Sequence, residues 1–271
     1  MAFRILYNAA SDQSSGVTIT AAADAVKSAS NVAANIGGNT EEWRVNKLWR
    51  TDRDTGQWIK FDFGSAQSVT QVSLFNHNLT SAATVTLQAN ASDSWGSPSY
   101  SQALTIASDS DSTVLPRLTY FKAAGTAYRY WRITIEDGSN PDEYIQVGRI
   151  VLGEYYEVTR DLSSDLRVEL MDPSRQGGTA AAPGTVEPGV SQKNRFRRIR
   201  TSFQFVDQTE TDKWSAIFEH LGNARGAAIC WDADRPSKDS AYVFLATPMN
   251  LAHQVAAYYD VMSLVWEEKT R

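Results

Sequence analysis

The chain has 271 residues, 42% apolar, 11% aromatic and 21% charged, which supplies more than one sizeable core and, by length, two globular domains. Lysine and arginine total 26 against 31 acidic residues, a net charge of -5 with a pI near 5.3 and a mean hydropathy of -0.37, which excludes the basic excess of a dedicated nucleic-acid binder. One cysteine, Cys230, and three histidines, His77, His220 and His253, exclude an internal disulfide and a structural zinc site of Cys/His type.

No apolar run reaches the roughly 18 residues of a membrane span, and the start, MAFRILYNAA, lacks the charged n-region and long apolar h-region of a secretory signal. Residues 11–57 are rich in Ala, Ser, Asn and Gly, and read as long loops with a short helix at Ala21–Ser28. From 58 to 152, short alternating segments separated by turn residues predict an antiparallel β-sandwich. These are Trp58–Phe63, stopped by Gly64, then Val69–Phe75, Thr84–Ala89, Tyr128–Glu136 and Ile145–Leu152. In Tyr128–Glu136, Trp131, Ile133 and Ile135 share one face while Arg132 and Thr134 share the other.

After Gly153 the pattern changes. Tyr155–Arg160 and Leu166–Met171 read as strands, and residues 172–192, rich in Gly and Pro with no periodic apolar face, read as a mobile arm. From Phe196, Ile199, Thr201, Phe203 and Phe205 alternate with Arg198, Arg200, Ser202 and Gln204, as in a strand with one polar face. Asp207, with Glu210 three residues on, opens a helix whose Trp214, Ile217, Phe218 and Leu221 share a face and which Gly222 stops. Ala227–Trp231, Ala241–Ala246 and Tyr258–Trp266 complete a small β-rich α+β domain. The division falls near Tyr155, giving domains 1–155 and 156–271 with net charges of -3 and -2.

Chemistry-bearing motifs are few. There is no G-x-S-x-G, P-loop or G-x-G-x-x-G. Cys230 lies in an apolar stretch and reads as a buried, inert thiol. His220 falls at the end of the predicted helix, where it complements the helix dipole. Asp232 with Asp234 and Glu267 with Glu268 have turn and strand-end spacing, whereas a glycosidase needs two acids placed across a sugar. Asp52, Asp54 and Asp62 carry the oxygen ligands that calcium takes, but not at EF-hand spacing, and no metal or other cofactor is assigned. Residues 193–200 hold five basic side chains, of which alternation places Arg198 and Arg200 on one strand face, facing acids of an adjacent subunit rather than DNA. The expectation is a protein that is not an enzyme.

Two resemblances sharpen this reading. Gln57–Gly64 continuing to Ser68–Leu74, with Ala127–Ile135 and Ile145–Gly153, resembles the core strands of the discoidin, or coagulation-factor type C, family of galactose-binding-like jelly rolls. That family's frequent disulfide between its two ends is absent, which suits a protein assembled inside a cell. The resemblance implies ligand-binding loops at one end of the barrel, here Trp43–Gly56, Asn76–Leu79 and Asp93–Tyr100. Trp43, Trp49, Trp95 and Tyr100 would stack on a sugar face, and Arg44, Arg50, Asp52, Arg53, Asn76, His77 and Asn78 would hydrogen-bond hydroxyls. The alternative is that the tryptophans cap the barrel and the Arg/Asp pairs are surface ion pairs.

Phe203-Gln204-Phe205, the helix end Phe218–Gly222, Trp231-Asp232 and the final Trp266-Glu267-Glu268 together resemble the hub domain of phage distal-tail and tail-tip ring proteins. Phe3–Asn8 is similar to phage tail sequences that bear a carbohydrate-binding jelly roll. This implies a structural virion protein of the tail tip, made in the host cytoplasm and assembled through residues 156–271 as a trimeric or hexameric ring. Its neighbours would be tail-tube, hub and tape-measure proteins, and its arm, including Arg175, Gln176, Gly177 and Gly178, would reach an adjacent subunit. The jelly roll would face outward to pack on neighbours or hold a host glycan. The alternative is a soluble, lectin-like carbohydrate-binding protein.

Overall fold

Strand periodicity sorts the first half of the chain into two facing sheets. The computed structural model describes residues 2–12, 16–22, 45, 47–106, 115–159, 166–172, 195–222, 224–255 and 258–269. Its first eleven strands are β1 (Arg4–Leu6), β2 (Thr18–Ala21), β3 (Trp49–Arg50), β4 (Gln57–Gln67), β5 (Gln71–Phe75), β6 (Thr84–Asn90), β7 (Tyr100–Leu104), β8 (Arg117–Phe121), β9 (Tyr128–Glu136), β10 (Gln146–Val147) and β11 (Arg149–Gly153). A five-stranded antiparallel sheet, β2-β4-β9-β6-β7, faces a three-stranded one, β11-β5-β8. Between them Ile59, Phe61, Val85, Leu87, Trp131, Ile133 and Ile135 meet Val72, Leu74, Leu118, Ile150 and Leu152, all excluded from water.

The second half adds β12 (Tyr156–Glu157), β13 (Arg167–Met171), β14 (Phe196–Val206), helix α1 (Gln208–Leu221), β15 (Gly226–Cys230), β16 (Ser240–Leu245), β17 (Asn250–Val255) and β18 (Tyr258–Glu268). They form one antiparallel sheet in the order β12-β1-β15-β16-β18-β14-β13, with β17 on β18. Helix α1 covers one face. Its Trp214, Ile217 and Leu221 pack on Phe3, Ile5, Ile199, Phe203 and Trp266, with Phe203 and Trp214 ring centroids 5.0 Å apart. The Asp207 side chain caps the helix by accepting from the Glu210 N–H at 2.8 Å, and Gly222, at φ 49°, ends it.

The sequence assigns residues 1–155 to one unit, but β1 lies in the second sheet, pairing Arg4–Leu6 with Ala228–Cys230. The reason is the alternation itself, because Phe3 and Ile5 complete the core under the helix while Leu6 faces the other way. The helix expected at Ala21–Ser28 overlaps the end of β2 at Ala21, and its residues 23–28 lie outside the described ones. The arm is likewise outside them from residue 173 to 192, including Arg175, Gln176, Gly177 and Gly178. Arg198 and Arg200, expected to face acids of an adjacent subunit, pair within the chain with Glu267 and Glu169 on neighbouring strands.

The middle sheet is covered on both sides. Ser73, Phe75, Arg117, Thr119, Arg149 and Val151 turn away from the sandwich core yet are buried, because the second sheet packs there. Phe75 meets Tyr242 at 5.6 Å between centroids, Thr119 Oγ1 lies 2.9 Å from Ser240 Oγ, and the Thr119 N–H donates to Ser237 Oγ at 3.1 Å. The described residues thus stack as five-stranded sheet, three-stranded sheet, large sheet and helix, and among them the outermost sheet face and the barrel ends are where the first half meets water.

Helix α1 is also tied sideways. Buried Glu210 accepts from Thr159 N–H at 2.8 Å, Thr159 Oγ1 at 2.6 Å and Tyr156 OH at 3.2 Å. Glu210→Ala leaves three donors without their acceptor and is expected to lower the unfolding free energy by about 2 kcal/mol in urea denaturation. A change within error would show that water replaces the carboxylate at no cost.

Candidate functional site

Strand register places the loops. Thr84 of β6 pairs with Glu136 and Asn90 with Tyr130, while Gln57 of β4 pairs with Ile135 and Asp62 with Tyr130. One end of the barrel therefore carries residues 51–56, 76–80 and 137–145, and the other, about 20 Å away along β6, carries 91–99. Arg50, Asp52, Arg53, Asn76, His77 and Asn78 belong to the first end and Trp95 and Tyr100 to the second, so they do not assemble into one platform. Trp43 and Arg44 lie outside the described residues.

At the first end the polar side chains bind one another. Trp49 is fully buried in the sandwich core, paired through β3 with Val147 of β10. Asn76, at φ 58°, donates from Nδ2 to the Val45 carbonyl at 2.8 Å and is buried. His77 is buried too, accepts from the Leu79 N–H at Nδ1, and is held neutral because burial pushes its pKa down to about 4. Asn78 donates to the Tyr144 carbonyl and Asp142 at 2.8 and 3.0 Å and accepts from the Gln146 N–H at 2.7 Å. The Arg50 guanidinium donates to Gln146 Oε1 and stacks 4.6 Å from the Tyr144 ring centroid. Asp52 and Arg53 remain exposed. The Trp49, Asn76, His77 and Asn78 expected to touch a ligand are instead the brace that shapes these loops.

Calcium fares no better. Asp62 sits at the far end from Asp52 and Asp54, bound bidentately by Arg129, and among the described residues no three His, Cys, Asp or Glu side chains are placed to hold a metal. The paired carboxylates are likewise engaged, Glu267 with Arg198, Glu268 with Arg197 and Asp232 with Arg235.

Among the described residues, a half-buried constellation of charged and aromatic side chains lies on the outer face of the five-stranded sheet. Alternation turns Trp58, Lys60 and Asp62 of β4, Tyr130, Arg132 and Thr134 of β9, and Thr86 and Gln88 of β6 away from the core. Register aligns Lys60, Arg132 and Gln88 in one row, with Asp62 and Tyr130 in the next. The 91–99 loop folds onto this face. The Arg132 guanidinium lies 4.3 Å from the Trp95 ring centroid, the Trp95 indole N–H donates to Asp93 Oδ1 at 2.7 Å, and Lys60 Nζ donates to Asp93 Oδ2 at 2.5 Å.

Three cations and two carboxylates meet here. Hydrogen bonds from Lys60 and Arg129 hold the Asp93 and Asp62 carboxyls below the usual carboxylate range. Arg132 makes its side-chain hydrogen bonds to a neutral partner, Gln88 Oε1 accepting from its Nε and Nη2 at 2.9 and 2.6 Å, while Asp93 acts on it through charge alone. Of the residues expected in the site, only Trp95 stands here. Tyr100 is half-buried, its ring 6.1 Å from Trp131 and its hydroxyl 3.3 Å from that of Tyr120. Lys60, Asp62, Gln88, Tyr130 and Arg132 were missed, although their signal, charged and aromatic side chains on the polar side of alternating strands, is present in the sequence.

No family model and no curated protein matches the chain. Among solved structures, the lectin domain of lectinolysin complexed with Lewis B antigen is 12% identical, covers 54% of this chain and 95% of its own, and superposes with a TM-score of 0.39. A Streptococcus pneumoniae fucose binding module is 8% identical, covers 55% and 99%, and gives 0.40. Chitosan-binding module 1 from a Paenibacillus chitosanase/glucanase is 20% identical, covers 54% and 99%, and gives 0.38. The fold class is as the sequence anticipates, mainly β with an antiparallel two-sheet sandwich in its first half.

Proposed function

We propose that the protein is a carbohydrate-binding, lectin-like protein that holds an acidic saccharide, unchanged, on the outer face of its five-stranded sheet. The observation that carries this reading is the Trp95 indole stacked on Arg132 and fixed by Asp93, which sets an aromatic plane beside a guanidinium on a solvent-facing sheet. The apolar face of a sugar ring packs against an aromatic plane, hydroxyls hydrogen-bond to Gln88 and Asp93, and a uronate or sulfate group meets Arg132. Single sites of this kind bind weakly, and several copies on one surface multiply the contact.

Titration calorimetry with neutral and uronate-containing oligosaccharides tests the proposal. Trp95→Ala is expected to weaken binding by roughly tenfold or more, as loss of one stacking contact of about 1.4 kcal/mol requires. Arg132→Gln is expected to abolish the preference for the acidic sugar and spare the neutral one. No binding to any saccharide, or binding that neither substitution changes, would refute the site. Release of reducing ends from the same saccharides would refute the reading that the protein is not an enzyme.

A tail-tip ring component of a virion is the second reading. One observation favours it, an exposed apolar strand on the large sheet, where Val168 and Leu170 of β13 are 45% and 53% exposed. Negative-stain images of concentrated protein showing rings of three- or six-fold symmetry would support it, and a species no larger than a dimer would sink it.

A further inference from the structure

The large sheet ends on β13 with one edge unmatched. β13 is the last strand of the sheet order and pairs only with β14 among the described residues, leaving a row of backbone N–H and C=O groups on its outer side. The opposite edge is blunted by its length, since β12 has two residues. β13 has five, and of the four large apolar side chains exposed among the described residues it carries two, Val168 and Leu170. Val168 pairs with Ile199, which is buried under the helix, so its side chain continues the helix-side core past the end of the sheet.

We propose that β13 pairs antiparallel with β13 of a second copy of this chain, about a two-fold axis through Val168. The order Leu166-Arg167-Val168-Glu169-Leu170 is self-complementary about that residue. Arg167 of each copy stands opposite Glu169 of the other on one face of the joined sheet, and Leu166 stands opposite Leu170 on the other face, with Val168 against itself. Centring the axis on Glu169 instead sets carboxylate against carboxylate, so charge selects the register. The contact joins two large sheets into one and hydrogen-bonds both edges. A single strand pair buries less than the roughly 1,600 Å² of a standard interface, so the dimer forms in the micromolar range rather than below it. The inference stands independently of saccharide binding, because the outer face of the sandwich and β13 lie on different sheets.

Sedimentation velocity of the full chain across the micromolar range tests it. The wild type is expected to pass from monomer to dimer. Glu169→Arg, which opposes two arginines on each side of the axis, is expected to weaken the dimer by roughly tenfold or more, and Val168→Lys to do the same. The double variant Arg167→Glu with Glu169→Arg restores opposite charges across the axis and is expected to recover the dimer, although each chain loses its own Glu169–Arg200 pair. Circular dichroism and melting temperature identify any variant that fails to fold. For that case Val168→Cys provides a second reading, because the native thiol of Cys230 is buried. Diamide should oxidise the paired thiols to a covalent dimer that the same change at exposed Ser139 does not give. A monomer at every concentration, a ring, a dimer indifferent to both charge variants, or no crosslink through Val168→Cys would each overturn the proposal.

Discussion

Arg149→Met is expected to lower the unfolding free energy at pH 7 by about 4 kcal/mol, the cost of leaving a buried charge without its partner. Arg149 is 1% exposed and Asp12 is 3% exposed, and the guanidinium donates to the Asp12 carboxylate and stands 5.3 Å from the Tyr242 ring centroid. The pair is sealed where the middle sheet meets the large one. Burial already pushes the Asp12 carboxyl up to about 6 from its ordinary 3.8, against the pull of Arg149, and without the arginine it rises further. A carboxyl raised in the folded state stabilises the fold below its unfolded pKa, and that contribution is lost as pH rises through the folded value.

The deficit of Arg149→Met should therefore shrink between pH 7 and pH 5, as Asp12 takes up a proton instead of bearing an unpaired charge. Adding Asp12→Asn to Arg149→Met should recover most of the loss, because the double variant buries no charge. Urea unfolding followed by circular dichroism reads all three. If the double variant is as unstable as the single, the loss comes from packing against Tyr242 and not from the stranded carboxylate.

What could be read from the sequence was local. Tyr128–Glu136 coincides with β9 because its apolar side faces one core and its polar side faces water. The helix was legible to within a residue because Asp207 and Gly222 act on neighbouring backbone. β8 is not legible in the sequence, for the opposite reason. Arg117 and Thr119 look like surface residues, yet their partners, the Lys238 carbonyl and Ser240 Oγ, come from the turn before β16 and its first residue, more than a hundred residues later. Trp49 looked like a loop tryptophan for the same reason, since β3 exists only through pairing with Gln146 and Val147.

The candidate site divides along the same line. The alternation of β9 already put Arg132 on the polar face, but nothing local tells that Trp95, from a loop after β6, comes to rest on it. Nor does sequence order show that 76–78 and 95–100 leave opposite ends of the sandwich, which follows from β6 running between them. Loop residues of like composition look like one group in sequence, whereas the sheet separates them by the length of a strand.

His77→Gln is expected to gain stability relative to the wild type as pH falls from 6.5 to 4. His77 is buried among the bracing loops with its pKa pushed down to about 4 from 6.5, so on acidification the unfolded chain takes up the proton first. That costs the wild type stability at about 1.4 kcal/mol per pH unit, about 3 kcal/mol across the window. Asp12, raised to about 6, acts oppositely, adding stability as pH falls from 6 toward 3.8. The wild type thus shows the difference of two opposed contributions. With His77→Gln only the Asp12 contribution of this pair remains, and stability relative to wild type should grow by about 3 kcal/mol from pH 6.5 to pH 4. With Asp12→Asn the histidine acts alone and the acid loss should steepen by a similar amount. Exposed carboxylates titrate alike in all three proteins and cancel in the comparison. Parallel urea-stability profiles for wild type and His77→Gln would show that His77 protonates in the folded protein as readily as in the unfolded chain, and would remove it as the acid-sensitive element of the brace.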